Sequence, residues 1–174
     1  MLPKLSFIIG GAASGKSSYA EGLLTAHQGP KTYLASAQAF DSEMENKISR
    51  HKVSRGGGWT TIEEPVDVGP IFEDANADSA ILFDCATLWL SNLFLANRET
   101  SSEFEKLLDA LAQCPAPVVV VSNEVGAGIV PADAMSRDFR ETHGRLNQKI
   151  AAQADYAALV VAGLPLHLKG AAPQ

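Results

Sequence analysis

The octapeptide GGAASGKS at Gly10–Ser17 restricts the fold of this chain more than any other stretch. It satisfies GxxxxGK[ST] immediately after a short apolar run, LSFII at residues 5 to 9, and immediately before a segment of helical spacing. A buried strand must therefore lead into a tight loop that opens a helix. The glycines let backbone N–H groups curl around phosphate oxygens at the helix N-terminus, where the peptide dipoles favour an anion. All eight residues, Gly10, Gly11, Ala12, Ala13, Ser14, Gly15, Lys16 and Ser17, are candidate nucleotide contacts. Lys16 has the reach for the β and γ phosphates of ATP or GTP, and Ser17 supplies a hydroxyl for Mg²⁺. A glycine-rich turn that only joins strand to helix is the plainer alternative.

The remainder of the chain alternates in the same way. Strands are expected at KTYLAS (residues 31–36), WTTIEE (59–64), AILFD (80–84), PVVVVS (117–122) and YAALVVAG (156–163), the run of four valines being the strongest strand signal. Helices are expected over 41–53, with Asp41 as a cap, and near 86–97, 102–113 and 133–154. The first of these should break before Gly56, Gly57 and Gly58, and the tail KGAAPQ should fray. Continuous apolar runs separated by helices predict an α/β fold, P-loop NTPase-like, with a mostly parallel sheet covered by helices on both faces. At 174 residues, 46% hydrophobic and 20% charged, residues 1–174 are expected to form a single domain.

Charge and composition exclude several function classes. A net charge of −6 argues against sequence-independent nucleic-acid binding, which needs many cationic contacts to phosphates. No run of eighteen apolar residues occurs, so no membrane span is expected, and no export signal precedes the loop. Cys85 and Cys114 show no CxxC spacing and are expected in the core of a cytoplasmic protein. The DxxG and [NT]KxD signatures of switch GTPases are missing. His27, His51, His143 and His167 lack paired ligand spacing, which disfavours metal-hydrolase chemistry.

Other side chains are placed for chemistry. Asp84 closes a buried strand, where it would organise Mg²⁺ or cap the helix that follows. Asn123 and Glu124 stand at the carboxyl end of the valine strand, as ligand contacts or as a loop cap. Arg137, Arg140 and Arg145 read as a solvated or subunit-contact face. His51 sits among Lys47, Arg50, Lys52 and Arg55. Such a histidine is ordinarily part of a solvated face, but a neutral imidazole can also attack phosphorus when cations offset the charge of the triphosphate.

Six blocks, in order, carry a resemblance to a known family: GGAASGKS, YLASAQ, DSEMENKISRHKVSRGGGWTTIEE, DCATLWLSN, VSNEVGAGIVP and RDFRETHGRLNQKIAAQAD. Over nearly its whole length the chain resembles the bifunctional adenosylcobinamide kinase and adenosylcobinamide-phosphate guanylyltransferase of cobalamin biosynthesis. The resemblance implies phosphorylation of adenosylcobinamide by ATP or GTP, followed by transfer of GMP from GTP to adenosylcobinamide phosphate. It also implies that His51 is the covalent GMP carrier. Nucleotide contacts carried over are Gly10 to Ser17; Ala35, Ser36 and Ala37; Lys52, Val53, Ser54 and Arg55; and Glu63 and Asp84, with Ser17 and Asp84 toward Mg²⁺. Asp84 keeps two competing roles, at the metal or at the guanosine. A homotrimer is implied as well. The chain departs from the family at Ala13, where arginine is usual, and at Arg50, where some members have a second histidine. A kinase for another metabolite, with His51 structural, and a nucleotide-sensing module are the competing readings.

Overall fold

The computed structural model describes residues 2–37 and 58–173. Seven strands, β1 (Leu5–Gly10), β2 (Lys31–Ala35), β3 (Trp59–Glu63), β4 (Ala80–Asp84), β5 (Val118–Asn123), β6 (Tyr156–Val161) and β7 (Leu164–Lys169), form one sheet. Their order is β3-β2-β4-β5-β1-β6-β7. Every neighbouring pair is parallel except β6 and β7. The helices are α1 (Lys16–Leu23), α2 (Gly69–Glu73), α3 (Ala86–Leu95), α4 (Thr100–Gln113) and α5 (Ala134–Gln153).

The strands alternate their side chains between two cores, as the period of two in a pleated strand requires. Leu5, Phe7, Ile81, Phe83, Val118 and Val120 face one core with Trp89, Leu107, Leu146 and Ile150 from α3, α4 and α5. Ile8, Leu82, Val119, Val121 and Val160 face the other with Ala20 and Leu24 from α1 and the turn after it. A sheet buried on both faces needs apolar residues at every position, which is why these strands read as unbroken hydrophobic runs. Cys85 and Cys114 are free and buried, as expected.

The parallel α/β architecture agrees with the alternation of the sequence, and most elements fall within a residue or two of their expected bounds. Two elements were not expected. Helix α2 is a five-residue turn, too short for periodicity to reveal. The last expected strand stops at Val161, and Ala162 (φ 53) and Gly163 (φ 79) turn the chain back into β7. Positive φ at both central residues is the hairpin geometry that follows the twist of paired strands. The fraying expected from residue 169 onward is corrected at its start, since Lys169 belongs to β7 and donates to the carbonyls of Ala151 and Ala152. The helix expected over 41–53 and its cap Asp41 lie outside the described residues.

Helix α2 is held by a single fully buried side chain, Phe72, whose ring meets that of Phe83 edge-on at 5.9 Å. Phe72→Ala is expected to lower unfolding free energy by about 3–5 kcal/mol, the usual cost of emptying an aromatic site. Urea denaturation checks this, and a loss below about 1 kcal/mol would show that α2 collapses into the space.

Candidate active site

The carboxyl ends of the parallel strands lie along one edge of the sheet. Across this edge Glu63 pairs with Ala35, Ala35 with Asp84, Asp84 with Val121, and Asn123 with Gly10. The edge therefore gathers Gly10, Ala35, Glu63 and Asp84 from four strands separated by up to 74 positions of chain.

The phosphate loop is shaped by close backbone approach. A Cβ at Gly10 would lie 2.5 Å from Ser14 Oγ and 2.6 Å from the Val160 carbonyl oxygen. Gly15 has φ 91, and a Cβ there would come within 3.0 Å of Gly163 Cα. The loop thus rests on the β6–β7 turn, and Gly163 N–H donates to the Ser14 carbonyl at 2.8 Å. Helix α1 begins at Lys16 with no side-chain cap and no acid in its first turn. Its N-terminal N–H groups are left for an anion, whose charge the helix dipole favours. The Lys16 ammonium donates to the Gly11 carbonyl at 3.1 Å. Ser17 lies in the same first turn. Ala13 is exposed in the left-handed region at φ 54, so this position presents only a methyl group to solvent.

Asp84 is half-buried and accepts a hydrogen bond from Tyr33 Oη on Oδ2 at 3.2 Å. It does not cap α3, whose N-cap is Cys85 and carries no side-chain cap bond. Ser36 braces this corner. Its hydroxyl donates to the Cys85 carbonyl at 2.7 Å and accepts from Cys85 N–H at 3.0 Å, and Asn92 donates to the Ser36 carbonyl at 2.8 Å. The Ser36 side chain is thereby committed within the protein, while Ala35 and Ala37 flank it on the edge. Burial, then the charge of Asp84, push the Cys85 thiol up to about 11, which leaves it an inert apolar group at neutral pH.

Asp84 and Ser17 fit Mg²⁺. Both offer hard oxygen donors. That pattern suits an ion bound through one or two protein oxygens plus substrate phosphates and water. Glu63 ends β3, four strand spacings from β1, or roughly 19 Å across the sheet. It is therefore remote from the phosphate loop. His51, Lys52, Val53, Ser54 and Arg55 lie outside the described residues.

The 124–133 loop and α5 enclose a groove of about 820 Å³ lined by Val130, Arg137, Arg140 and Arg145. Arg137 donates to the carbonyls of Pro131 and Ala132, Arg140 to those of Gly126 and Gly128, and Arg145 pairs with Glu141 at 3.1 Å. Glu124 caps its own loop by accepting from Gly126 and Ala127 N–H. Arg137 and Arg140 thus order the loop, while Arg145 pairs along its own helix.

A buried polar cluster beneath this edge was not visible in the sequence. His143 Nε2 lies 2.9 Å from Thr87 Oγ1 and 3.1 Å from Ser122 Oγ. Ser122 donates to Asn147 Oδ1 at 2.7 Å, and Asn147 Nδ2 lies 3.4 Å from His143 Nδ1. Asn147 Nδ2 is a donor only, so Nδ1 accepts and the proton of the neutral imidazole sits on Nε2. Burial holds His143 below its ordinary pKa of 6.5, against a smaller upward pull from Glu124. Phe139 stacks on its ring at 5.8 Å.

Comparison with known proteins gives a consistent result. The family model described as cobinamide kinase / cobinamide phosphate guanyltransferase matches residues 6–168. The bifunctional adenosylcobalamin biosynthesis protein CobP of Pseudomonas aeruginosa is 41% identical over 166 residues, covering 94% of this chain and 96% of its own. The bifunctional adenosylcobalamin biosynthesis protein CobU of Salmonella typhimurium is 39% identical over 180 residues, covering 93% of this chain and 98% of its own. Among solved structures, an ATPase from the type III secretion system of pathogenic bacteria superposes with a TM-score of 0.52 at 11% identity. That match covers 95% of this chain and 57% of the ATPase and concerns the fold alone. The fold is that of the P-loop NTPases.

His143 titrates below its unfolded value, so the unfolded chain takes up the proton first as pH falls. The stability this group contributes is full above pH 6.5 and is lost as pH drops toward the lower folded value. His143→Gln is expected to flatten the fall of urea midpoint as pH drops below 6.5. Parallel slopes in the two proteins would show that His143 does not carry that dependence.

Proposed function

This chain belongs to the cobinamide kinase / cobinamide phosphate guanyltransferase family, and we propose that it is the bifunctional enzyme that performs both reactions on adenosylcobinamide in cobalamin biosynthesis. The observation that carries the reading is the uncapped phosphate loop at Gly10–Ser17, with Asp84 along the same sheet edge, in a chain that matches bifunctional relatives nearly end to end.

In the kinase step the aminopropanol hydroxyl of adenosylcobinamide attacks the γ-phosphorus of ATP or GTP; a P–O bond forms, the bond to the β-phosphate oxygen breaks, the nucleoside diphosphate leaves and the hydroxyl proton is released. The α1 N–H groups and Lys16 bind the phosphates, and Lys16 leaves the Gly11 carbonyl to do so. Ser17 and Asp84 would hold Mg²⁺, which when bound would offset charge on the phosphates. In the second step His51 attacks the α-phosphorus of GTP; a P–N bond forms and the bond to pyrophosphate breaks. The phosphate oxygen of adenosylcobinamide phosphate then attacks the same phosphorus, the P–N bond breaks, and adenosylcobinamide-GDP leaves with the imidazole restored. Lys52 and Arg55 offset phosphate charge, Val53 and Ser54 lie between them in the same contact segment, and Ala35, Ala37 and Glu63 border the nucleoside. A cytoplasmic homotrimer is part of this reading.

The protein incubated with α-³²P GTP and Mg²⁺ is expected to retain label that is acid-labile and alkali-stable. His51→Ala should abolish the label while keeping most kinase activity, and Lys16→Ala should lower kinase kcat/KM by roughly 100-fold or more. Folded, GTP-binding protein that takes up no label would leave a kinase without the guanylyl step.

A further inference from the structure

We propose that the Asn123 carboxamide donates a hydrogen bond to the γ-phosphoryl group of the bound nucleoside triphosphate, and that Thr87, Ser122, His143 and Asn147 form a buried clamp that aims it. The inference rests on the nucleotide site described above.

Asn123 ends β5, and β5 lies between the strand that launches the phosphate loop and the strand that ends in Asp84. Its register partner is Gly10, the first residue of the loop, and the next residue, Glu124, donates its N–H to the Gly10 carbonyl at 2.9 Å. A triphosphate whose β and γ groups are held by Lys16 would bring its γ-phosphoryl toward the end of β5, the strand between β1 and β4.

The last residue of a strand ordinarily frays, since it lacks the next rung of the ladder. Here both of its peptide groups are pinned by side chains from two different helices. Asn123 N–H donates to Thr87 Oγ1 at 2.8 Å, and its carbonyl accepts from Asn147 Nδ2 at 3.2 Å. The groups that do the pinning are saturated in turn. Thr87 Oγ1 accepts from Asn123 and from His143 Nε2–H, and its own hydrogen faces Ser122 Oγ at 3.3 Å. Ser122 spends its hydrogen on Asn147. Each partner thus has one donor–acceptor assignment, which makes the cluster a rigid mount for one residue.

The Asn123 side chain is half-buried and its carboxamide has no hydrogen-bond partner among the described residues, whereas Ser36 on the same edge and Glu124, Arg137 and Arg140 at the following loop spend theirs within the protein. An amide donor is the neutral group suited to an anionic phosphoryl oxygen, and a bond to a charged acceptor is the stronger kind.

The test compares affinities for Mg²⁺·ADP and for Mg²⁺ with the non-hydrolysable β,γ-imido analogue of ATP. Asn123→Ala is expected to weaken the triphosphate analogue by roughly 10-fold and to leave ADP within about 2-fold. Thr87→Val, which removes the acceptor for Asn123 N–H, should show the same selective loss to a smaller degree, and Thr87→Ser should restore binding. In the double variant the triphosphate should bind no worse than in Asn123→Ala alone. Equal weakening of both nucleotides, or of neither, in Asn123→Ala overturns the contact. Full additivity in the double variant overturns the clamp. If Thr87→Val does not fold, Ser122→Ala takes its place in the cycle. Both ligands are nucleotides, so these outcomes are separate from whether the unaltered enzyme phosphorylates cobinamide, which tests the proposed function.

Discussion

The parallel pairing of β5 with both β1 and β4 is the constraint on which the rest of the molecule depends. Hydrogen-bonded strands keep a spacing of roughly 4.8 Å, so one intervening strand places the phosphate loop and Asp84 about 10 Å apart at sheet level. That is wide enough for phosphates and a hydrated cation. The pairing also requires β5 to be buried on both faces and along both edges, a demand the four valines at 118–121 meet. Every group at the edge inherits its position from this strand.

Around that frame the protein controls where polar groups are satisfied. Ser36, Asn92, Thr87, Ser122, His143 and Asn147 are buried, and each finds hydrogen-bond partners within the protein. An orphaned polar group at these depths would cost about 1–3 kcal/mol, so two such clusters, one at the ends of β2 and β4 and one at the end of β5, hold the site corner. By contrast, the first turn of α1 is left without a capping side chain. The molecule therefore spends side chains on holding the strand ends and leaves backbone donors to receive the ligand. This division also explains how a chain of net charge −6 can bind a nucleotide: the attraction is local, from aligned peptide dipoles and Lys16, and does not need a cationic surface.

The hairpin of β6 and β7 has a second role. Its turn backs the phosphate loop through the Gly163 to Ser14 hydrogen bond, and the Tyr156 hydroxyl, which contacts Tyr19 of α1 at 2.6 Å and His167 of β7 at 2.8 Å, links strand, helix and hairpin. The loop is thereby held from below as well as along its length, which keeps its N–H groups pointed in one direction before any ligand arrives.

Much of this was legible in the residues, because local chemistry alone sets it. A GxxxxGK[ST] loop between an apolar run and a helix implies the strand, the turn and the anion site together, since no other residues permit that backbone approach. The unbroken valine and isoleucine runs imply strands buried on both faces. The family blocks implied nucleotide contacts at Lys16, Ser17, Asp84 and Glu63; the structure sets the start of α1 and the ends of β4 and β3 along one edge, with Glu63 four strand spacings from β1. Strand β7 escaped notice because LPLHLK is an exposed edge with a proline, and because the turn before it puts an alanine where glycine or asparagine would have signalled the hairpin. Helix α2 was too short for periodicity. The cluster that clamps Asn123 joins Thr87, Ser122, His143 and Asn147 over 60 positions of chain, and each of these residues taken alone is an ordinary polar residue. Sequence by itself determined what each segment is, because propensity and backbone sterics act within a few residues. Only the tertiary structure decided which side chains meet, because a hydrogen bond has a range of about 3 Å and strand order, not chain distance, brings its partners that close.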